Sequence, residues 1–459
     1  MSNNFQTINP ATGETIQSYQ FMSDDQASGK VDACHNAFLD WRLKPFDQRG
    51  SIIRKIGEEL QTRKEEFAQL MTQEMGKLLE HAREEVDLCT AICDWSAENA
   101  AKELASEERE LGDGARGIIS HVPIGVIYGI QPWNFPGYQV IRYSIANLMA
   151  GNGVLLKHAQ SVTGCALLLE EIYEAAGLPK NLFSVLIIDH DQSDHIIENQ
   201  HVRGVTLTGS AAAGSHVGAA AAKALKKTVL ELGSNDAYLI LEDADLELAV
   251  ETCVLGRIYN NAETCISAKR FVVVDAIYDA FRDAFVKAMR DIKLGDPTSE
   301  ATDLGPMARA DLRDDLHEQV TQSTDKGAKI LCGGEMPEGK GCYYPSTVLE
   351  NVTPGQPAYD DELFGPVASL IRAKDADDAM RIANDSKFGL GGGIISKDVD
   401  KAIDLATRYF DTGMVFINGF GLAQPNMPFG GVKNSGYGRE HGGFGLREFV
   451  NTKAVMIMS

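Results

Sequence analysis

No stretch of this chain approaches the roughly 18–20 consecutive apolar residues that a membrane span needs. The leading segment, MSNNFQTINPATGE, has neither a basic patch nor an apolar run, so no secretory leader is expected. Cysteines number 8, and no two form a CxxC pair, which removes the commonest zinc and dithiol signatures. Scattered at 34, 89, 93, 165, 253, 265, 332 and 342, they read as reduced thiols rather than a disulfide framework. Positive charge is also short: 43 Lys+Arg stand against 65 Asp+Glu, a formal charge of −22. Such a chain has no general attraction for phosphate backbones or anionic membranes, so neither nucleic acid nor membrane is an expected partner. Internal repeats and low-complexity segments are missing too. What is present is an ordinary globular mixture, 44% apolar and 24% charged, which excludes disorder and fibrous repeats. A length of 459 residues exceeds the roughly 250–300 at which one core stops growing, so two or three domains are expected, in a cytoplasmic protein.

Helical periodicity comes first along the chain. Ser23 or Asp24 can cap a helix that turns Val31, Phe38 and Trp41 inward. Asp47 opens a second, with Ile52, Ile53, Ile56, Leu60, Phe67, Leu70 and Met71 at 3–4-residue spacing, and a third runs over about 77–104. On that third helix Cys89 and Cys93 are four apart, and they read as small core hydrophobes. From residue 124 short apolar runs (124–130, 154–157, 183–188, 204–208, 228–232) alternate with helical segments (137–150, 161–176, 191–199, 211–226), which implies a mostly parallel sheet covered on both faces. A second α/β series follows, with strands expected at 237–241, 271–274, 367–371 and 414–418. The Gly- and Pro-rich text at 295–306 and 333–366 reads as long surface connections. A boundary near 232 separates the two units, and the final run 450–458 is expected to pair outside either sheet.

Ligands of parallel sheets bind beyond the carboxyl ends of the strands, and four constellations lie at such places. Gly209-Ser210 follows the strand 204–208, with Gly214 opening a helix. That arrangement offers free N–H groups to a pyrophosphate, or is a structural turn. PWNFP (132–136) follows 124–130, and its Asn134 either donates to a developing oxyanion or bonds its own backbone. Glu231 ends an apolar strand, as a poorly solvated general base or as a side chain turning to solvent. Cys265, in NNAETCISAKR (260–270), lies in polar text between a helix and a strand and is the best nucleophile candidate of the eight cysteines by elimination.

Together with INPATGE (8–14), ELFGPV (362–367) and PFGGVKNSGYGRE (428–440), these motifs stand in an order that resembles the aldehyde dehydrogenase superfamily over essentially the whole chain. The resemblance implies an aldehyde dehydrogenase-like α/β fold: a Rossmann-type NAD(P)-binding domain (1–104 and 124–231), an α/β catalytic domain (232–445) and a small β oligomerisation element (105–123 and 446–459), giving a homodimer or homotetramer. It implies Cys265 as the nucleophile, Asn134 with the Cys265 N–H as oxyanion donors, and Glu231 as the base that hydrolyses the thioester. For the cofactor it implies Ser210 and the Gly209 turn at the pyrophosphate, Trp133 beside the dinucleotide, Glu362 on the nicotinamide ribose and Phe364 behind the nicotinamide. Lys157 and Gln160 fall at the adenosine ribose. Many NAD-preferring members have a glutamate where Gln160 stands, so use of both NAD and NADP is expected, with NAD slightly preferred.

The substrate clue is Arg142, nine residues after Trp133. The resemblance places it at the mouth of the aldehyde site, where succinate-semialdehyde dehydrogenases carry an arginine able to grip a carboxylate; otherwise it is salt-bridged at a structural contact. With KHAQ (157–160), AKRF (268–271) and the text at 305–316, the chain is similar to bacterial succinate-semialdehyde dehydrogenases. Glutarate semialdehyde, a neutral or amino aldehyde, and a non-catalytic binding protein on this fold are the alternatives. Four further residues depart from the family pattern. A second arginine often found six residues before the nucleophile is Tyr259 here. Ala262 and Glu263 replace the usual Gly-Gln, and Ser234 replaces the second Gly of ELGG. Glu263 either raises the Cys265 pKa by like-charge repulsion or points to solvent.

Overall fold

The computed structural model describes residues 4–458; residues 1–3 and 459, which the domain ranges above include, lie outside them. Ser23 caps the helix Asp24–Trp41 through a capping box with Gln26, and Val31, Phe38 and Trp41 are buried. The long second periodic stretch is two helices, Phe46–Thr62 and Lys64–Met75, with the chain leaving helical geometry at Arg63. Leu79–Glu103 follows, with Cys89 and Cys93 in its buried stripe.

The first large sheet has six strands in the spatial order Gly436–Tyr437, Lys227–Glu231, Val202–Thr208, Val126–Gln131, Gly153–His158, Phe183–Val185. All neighbours are parallel except the edge pair made by Gly436–Tyr437. Its central strands are continuous apolar runs because helices cover both faces: all six residues of Gly153–His158 are buried. The chain builds outward from Val126–Gln131 to Phe183–Val185, then returns to the other side at Val202–Thr208. That reversal makes a crevice at the carboxyl ends of Val126–Gln131 and Val202–Thr208, the usual ligand position in such sheets. PWNFP follows the first of these strands and Gly209-Ser210 the second.

The second sheet has seven strands, ordered Lys329–Cys332, Thr347–Glu350, Val367–Ala373, Arg270–Val274, Ala237–Ile240, Gly392–Ile395, Phe416–Ile417. Thr347–Glu350 corrects the expectation of a surface connection over 333–366. Its first three residues are buried, and it pairs with strands on both sides. Four residues inside Gly- and Pro-rich text are too few to show a strand period. The last strand, Val450–Ile457, pairs with Ala115–Pro123, which pairs in turn with Glu107–Gly112, in a separate three-stranded sheet. Gly436–Tyr437 lies in the 232–445 stretch yet completes the first sheet. Among the described residues no helix is long and apolar enough to cross a membrane.

Candidate active site

Five residues, Leu232–Asp236, lead from the end of Lys227–Glu231 in the first sheet to the start of Ala237–Ile240 in the second. The carboxyl ends of one sheet therefore meet the amino ends of the other, and the candidate residues gather at that joint. Glu231 does not turn to solvent. It is 2% exposed, and neither carboxyl oxygen has a hydrogen-bond partner among the described residues. Burial holds its pKa well above the carboxylate range, opposed mainly by the charge of Arg142.

The loop carrying Cys265 is shaped by three successive residues with positive φ: Asn260 (55°), Asn261 (56°) and Ala262 (64°). Asparagine tolerates this region; alanine pays roughly 1 kcal/mol for it, which accounts for glycine as the family's usual residue at 262. Asn261 fixes the turn, donating to the carbonyls of Gly76 (2.7 Å) and Pro306 (2.9 Å) and accepting from the Gly305 N–H at 2.8 Å. The PWNFP turn is stitched to the same loop. Asn134 Nδ2 donates to the Glu263 carbonyl at 3.0 Å, and Asn260 Nδ2 donates to the Asn134 carbonyl at 2.9 Å. One hydrogen of the Asn134 amide is left over, which an oxyanion can accept. Half-buried Cys265 faces a narrow cavity lined by Phe135, Tyr138, Gln139 and Phe429. Its thiol is pushed up to about 12, first by burial; Arg142 and Lys269 pull it down, while Glu362 and Glu231 push it up.

Two expectations need correction here. Glu263 does not point to solvent, and its carboxyl is engaged by a backbone group rather than by the thiol. It is fully buried, its Oε1 accepts from the Ala308 N–H at 3.0 Å, and its Oε2 has no partner among the described residues. Burial raises its pKa well above the carboxylate range. Arg142 is not at the mouth of the cavity. Its side chain is 1% exposed and ion-paired with Glu440; Nη2 donates to Thr208 Oγ1 at 2.9 Å, and Nη1 lies 3.5 Å from the Tyr138 hydroxyl. The guanidinium sits on the Tyr138 and Phe429 rings, 5.1 and 4.7 Å from their centroids, and both rings line the cavity. Helix geometry turns the side chain at 142 into the sheet, where Glu440 pairs with it. Tyr259 places no second cation nearby; its hydroxyl donates to Glu84 at 2.7 Å.

The other candidates divide between two places. Trp133 and Phe364 meet edge to face, with centroids 5.8 Å apart. Glu362 Oε1 lies 3.2 Å from Lys269 Nζ, and its Oε2 occupies the space that a side chain on Gly233 would fill. Ser210 caps the helix Ala211–Lys223, accepting from the Ala213 N–H at 3.2 Å, and the Gly209 N–H donates to the Glu231 carbonyl at 3.0 Å. The helix opens at Ala211. Gly214 lies inside it, against Leu232, where any side chain would collide. Away from the joint, Lys157 and Gln160 line a cavity of about 830 Å³ with His190, Arg309 and Arg313. Lys157 is 5% exposed and makes no hydrogen bond or ion pair among the described residues. A buried, unpaired ammonium in an open cavity suits ribose hydroxyls or a phosphate, and an exposed helix N-terminus beside Ser210 suits a pyrophosphate, so the residues present fit a nicotinamide dinucleotide. Sequence reasoning passed over two residues here, Lys269 and Glu440. Both stand inside quoted motifs, but nothing in one sequence tells a buried charge from a solvated one.

The fold and the joint between its sheets define an aldehyde dehydrogenase. A model of the aldehyde dehydrogenase family matches residues 1–455, and the chain belongs to that family. Succinate semialdehyde dehydrogenase [NAD(P)+] Sad of Escherichia coli is 45% identical over 449 residues, covering 98% of this chain and 97% of that one. A probable succinate-semialdehyde dehydrogenase [NADP(+)] of Synechocystis is 42% identical, covering 98% and 99%. Among solved structures, the succinic semialdehyde dehydrogenase of Streptococcus pyogenes in complex with NADP+ superposes with a TM-score of 0.97 at 36% identity, covering 99% of this chain and all of that one.

Proposed function

We propose that this protein oxidises succinate semialdehyde to succinate, with NAD+ or NADP+ as the acceptor. The observation that carries the reading is 45% identity, over 98% of the chain, to an enzyme named for that reaction. Cys265, as thiolate, attacks the aldehyde carbon and forms a C–S bond, while the Asn134 amide and the Cys265 N–H receive the oxyanion. A nicotinamide dinucleotide, when bound, would supply the hydride acceptor needed for oxidation to the thioester level. Ser210 with the Gly209 turn, Trp133, Glu362, Phe364, Lys157 and Gln160 are the residues that would hold it. Glu231 takes a proton from water, the hydroxide adds to the thioester carbon, and the Cys265 sulfur leaves with release of the carboxylic acid. A buried carboxyl with a raised proton affinity suits this base role. Gln160 is neutral, so it neither repels a 2′-phosphate nor chelates two ribose hydroxyls, in keeping with use of both cofactors.

Arg142 supplies the charge that favours a carboxylate-bearing aldehyde. An anion in the cavity meets its field across the Tyr138 and Phe429 rings, and direct pairing requires displacement of Glu440. The first sheet with its helices serves as the cofactor unit and the second as the catalytic unit. The three-stranded sheet serves self-association, a role supported by the exposed Val455, Met456 and Ile457 on its outer strand and Met458 just after it.

The test is reduced-nicotinamide formation with succinate semialdehyde, glutarate semialdehyde and hexanal, each with both cofactors, in wild type and Cys265→Ala. Succinate semialdehyde is expected to give the highest kcat/KM, and Cys265→Ala to give none. The two cofactors should differ by less than about a thousandfold, roughly 4 kcal/mol. A preference for hexanal overturns the substrate, and activity surviving in Cys265→Ala overturns the mechanism.

A further inference from the structure

Lys269 is 1% exposed and has no part in the reading above. Its backbone is fixed where the second sheet begins, since the N–H groups of Lys269 and Arg270 both donate to the Asp236 carbonyl at 3.0 Å. From there the side chain reaches back toward the nucleophile loop. Nζ donates to the Cys265 carbonyl at 2.6 Å and to the Ser234 hydroxyl at 3.0 Å, and pairs with Glu362 Oε1 at 3.2 Å. The Ser234 hydroxyl donates to that same Cys265 carbonyl. Two donors, from different sides of the joint, converge on one backbone oxygen. Ser234 stands where a glycine is usual, and a glycine has no hydroxyl to offer.

A buried ammonium is expensive unless every donor is engaged. Here Lys269 donates to the Cys265 carbonyl, to the Ser234 hydroxyl and, at 3.4 Å, to the Thr264 carbonyl, and its charge is ion-paired with Glu362. We propose that Lys269, with Ser234, is a positioning residue for Cys265. The pair clamps its carbonyl, holds its N–H and thiol toward Asn134, and sets a fixed positive charge at the base of the nucleophile. This rests on Cys265 being the nucleophile. The ionisable groups facing the thiol are Arg142 and Tyr138 from the helix Tyr138–Ala150, Glu231 from the strand end, Glu362 from the ELFGPV turn, and Lys269. Arg142 is ion-paired with Glu440, and Lys269 with Glu362.

The experiment is alkylation of the cofactor-free protein by iodoacetamide as a function of pH, with the labelled cysteine identified by peptide mass spectrometry, in wild type, Lys269→Met, Lys269→Arg and Ser234→Ala. Loss of a nearby opposite charge should move the Cys265 profile of Lys269→Met up by about one pH unit, slowing labelling about tenfold at a fixed pH below it. Lys269→Arg should restore the wild-type profile. Ser234→Ala keeps the charge, so its profile should stay in place while kcat for succinate semialdehyde falls several-fold at unchanged KM. Overlapping profiles for Lys269→Met and wild type overturn the proposal. If Lys269→Met does not fold, Ser234→Ala decides alone: a wild-type kcat overturns the clamp, and a lowered kcat at constant KM supports it. Labelling of another cysteine in place of Cys265 overturns the nucleophile assignment itself, and the clamp with it.

Discussion

Glu263 stands two residues before Cys265, where sequence distance alone suggests two negative groups in conflict, yet its carboxyl turns away to the Ala308 N–H and is fully buried. Its folded-state pKa lies well above the ordinary carboxylate value because of that burial. The unfolded chain ionises there above about pH 4.5, so folding at higher pH must either retake a proton or bury a charge. Stability is therefore lost as pH rises through the interval between the two pKa values. Glu263→Gln removes this penalty, and its gain over wild type should grow by about 1.4 kcal/mol per pH unit within that interval, vanishing near pH 4. Urea unfolding from pH 4 to 8 measures it, and a gain independent of pH would contradict the assignment. At this scale residue types were legible and directions were not. Cys265, Glu231 and Asn134 announce their chemistry by identity and motif. Whether Glu231 or Arg142 is buried depends on Gly430, Glu440 and Thr208, which arrive from distant parts of the chain.

The helix Tyr138–Ala150 has no side-chain cap of its own at Gly137. Glu85, from Leu79–Glu103, supplies it: Oε1 accepts from the Gly137 and Tyr138 N–H groups at 2.7 and 2.8 Å, while Oε2 pairs with buried Lys77. This carboxylate anchors both the PWNFP turn and the helix that carries Tyr138 and Arg142. Breaking a buried pair by removing one charge is costly, so Glu85→Gln should lose about 3 kcal/mol of stability, and Lys77→Met added to it should recover most of that loss. A double variant no more stable than the single one would show that the pair is not what matters. Helices with a complete local code were readable, as Asp24–Trp41 shows, with its capping box and inward stripe. The break at Arg63 was not, because the apolar stripe runs through it. The cap from Glu85 was not readable either, because it joins residues about fifty positions apart.

Across the whole molecule, the alternation of strand and helix and the order of the motifs carried the architecture. Parallel crossovers force strand ends of one kind together, so the chemistry-bearing residues collect at the joint of the two sheets. The pairing of Gly436–Tyr437 back into the first sheet was not legible, since two residues have no period. Net charge misleads at this scale. A chain of −22 disfavours anions in general, yet the cavity beside Cys265 lies within the field of Arg142. The claim that this charge selects a carboxylate-bearing aldehyde is tested most directly by comparing KM for succinate semialdehyde and hexanal in wild type and in Arg142→Met combined with Glu440→Gln, which removes both members of the buried ion pair. The expected result is a rise of about tenfold or more in KM for succinate semialdehyde, about 1.4 kcal/mol, with KM for hexanal nearly unchanged. Equal changes for the two aldehydes would contradict it.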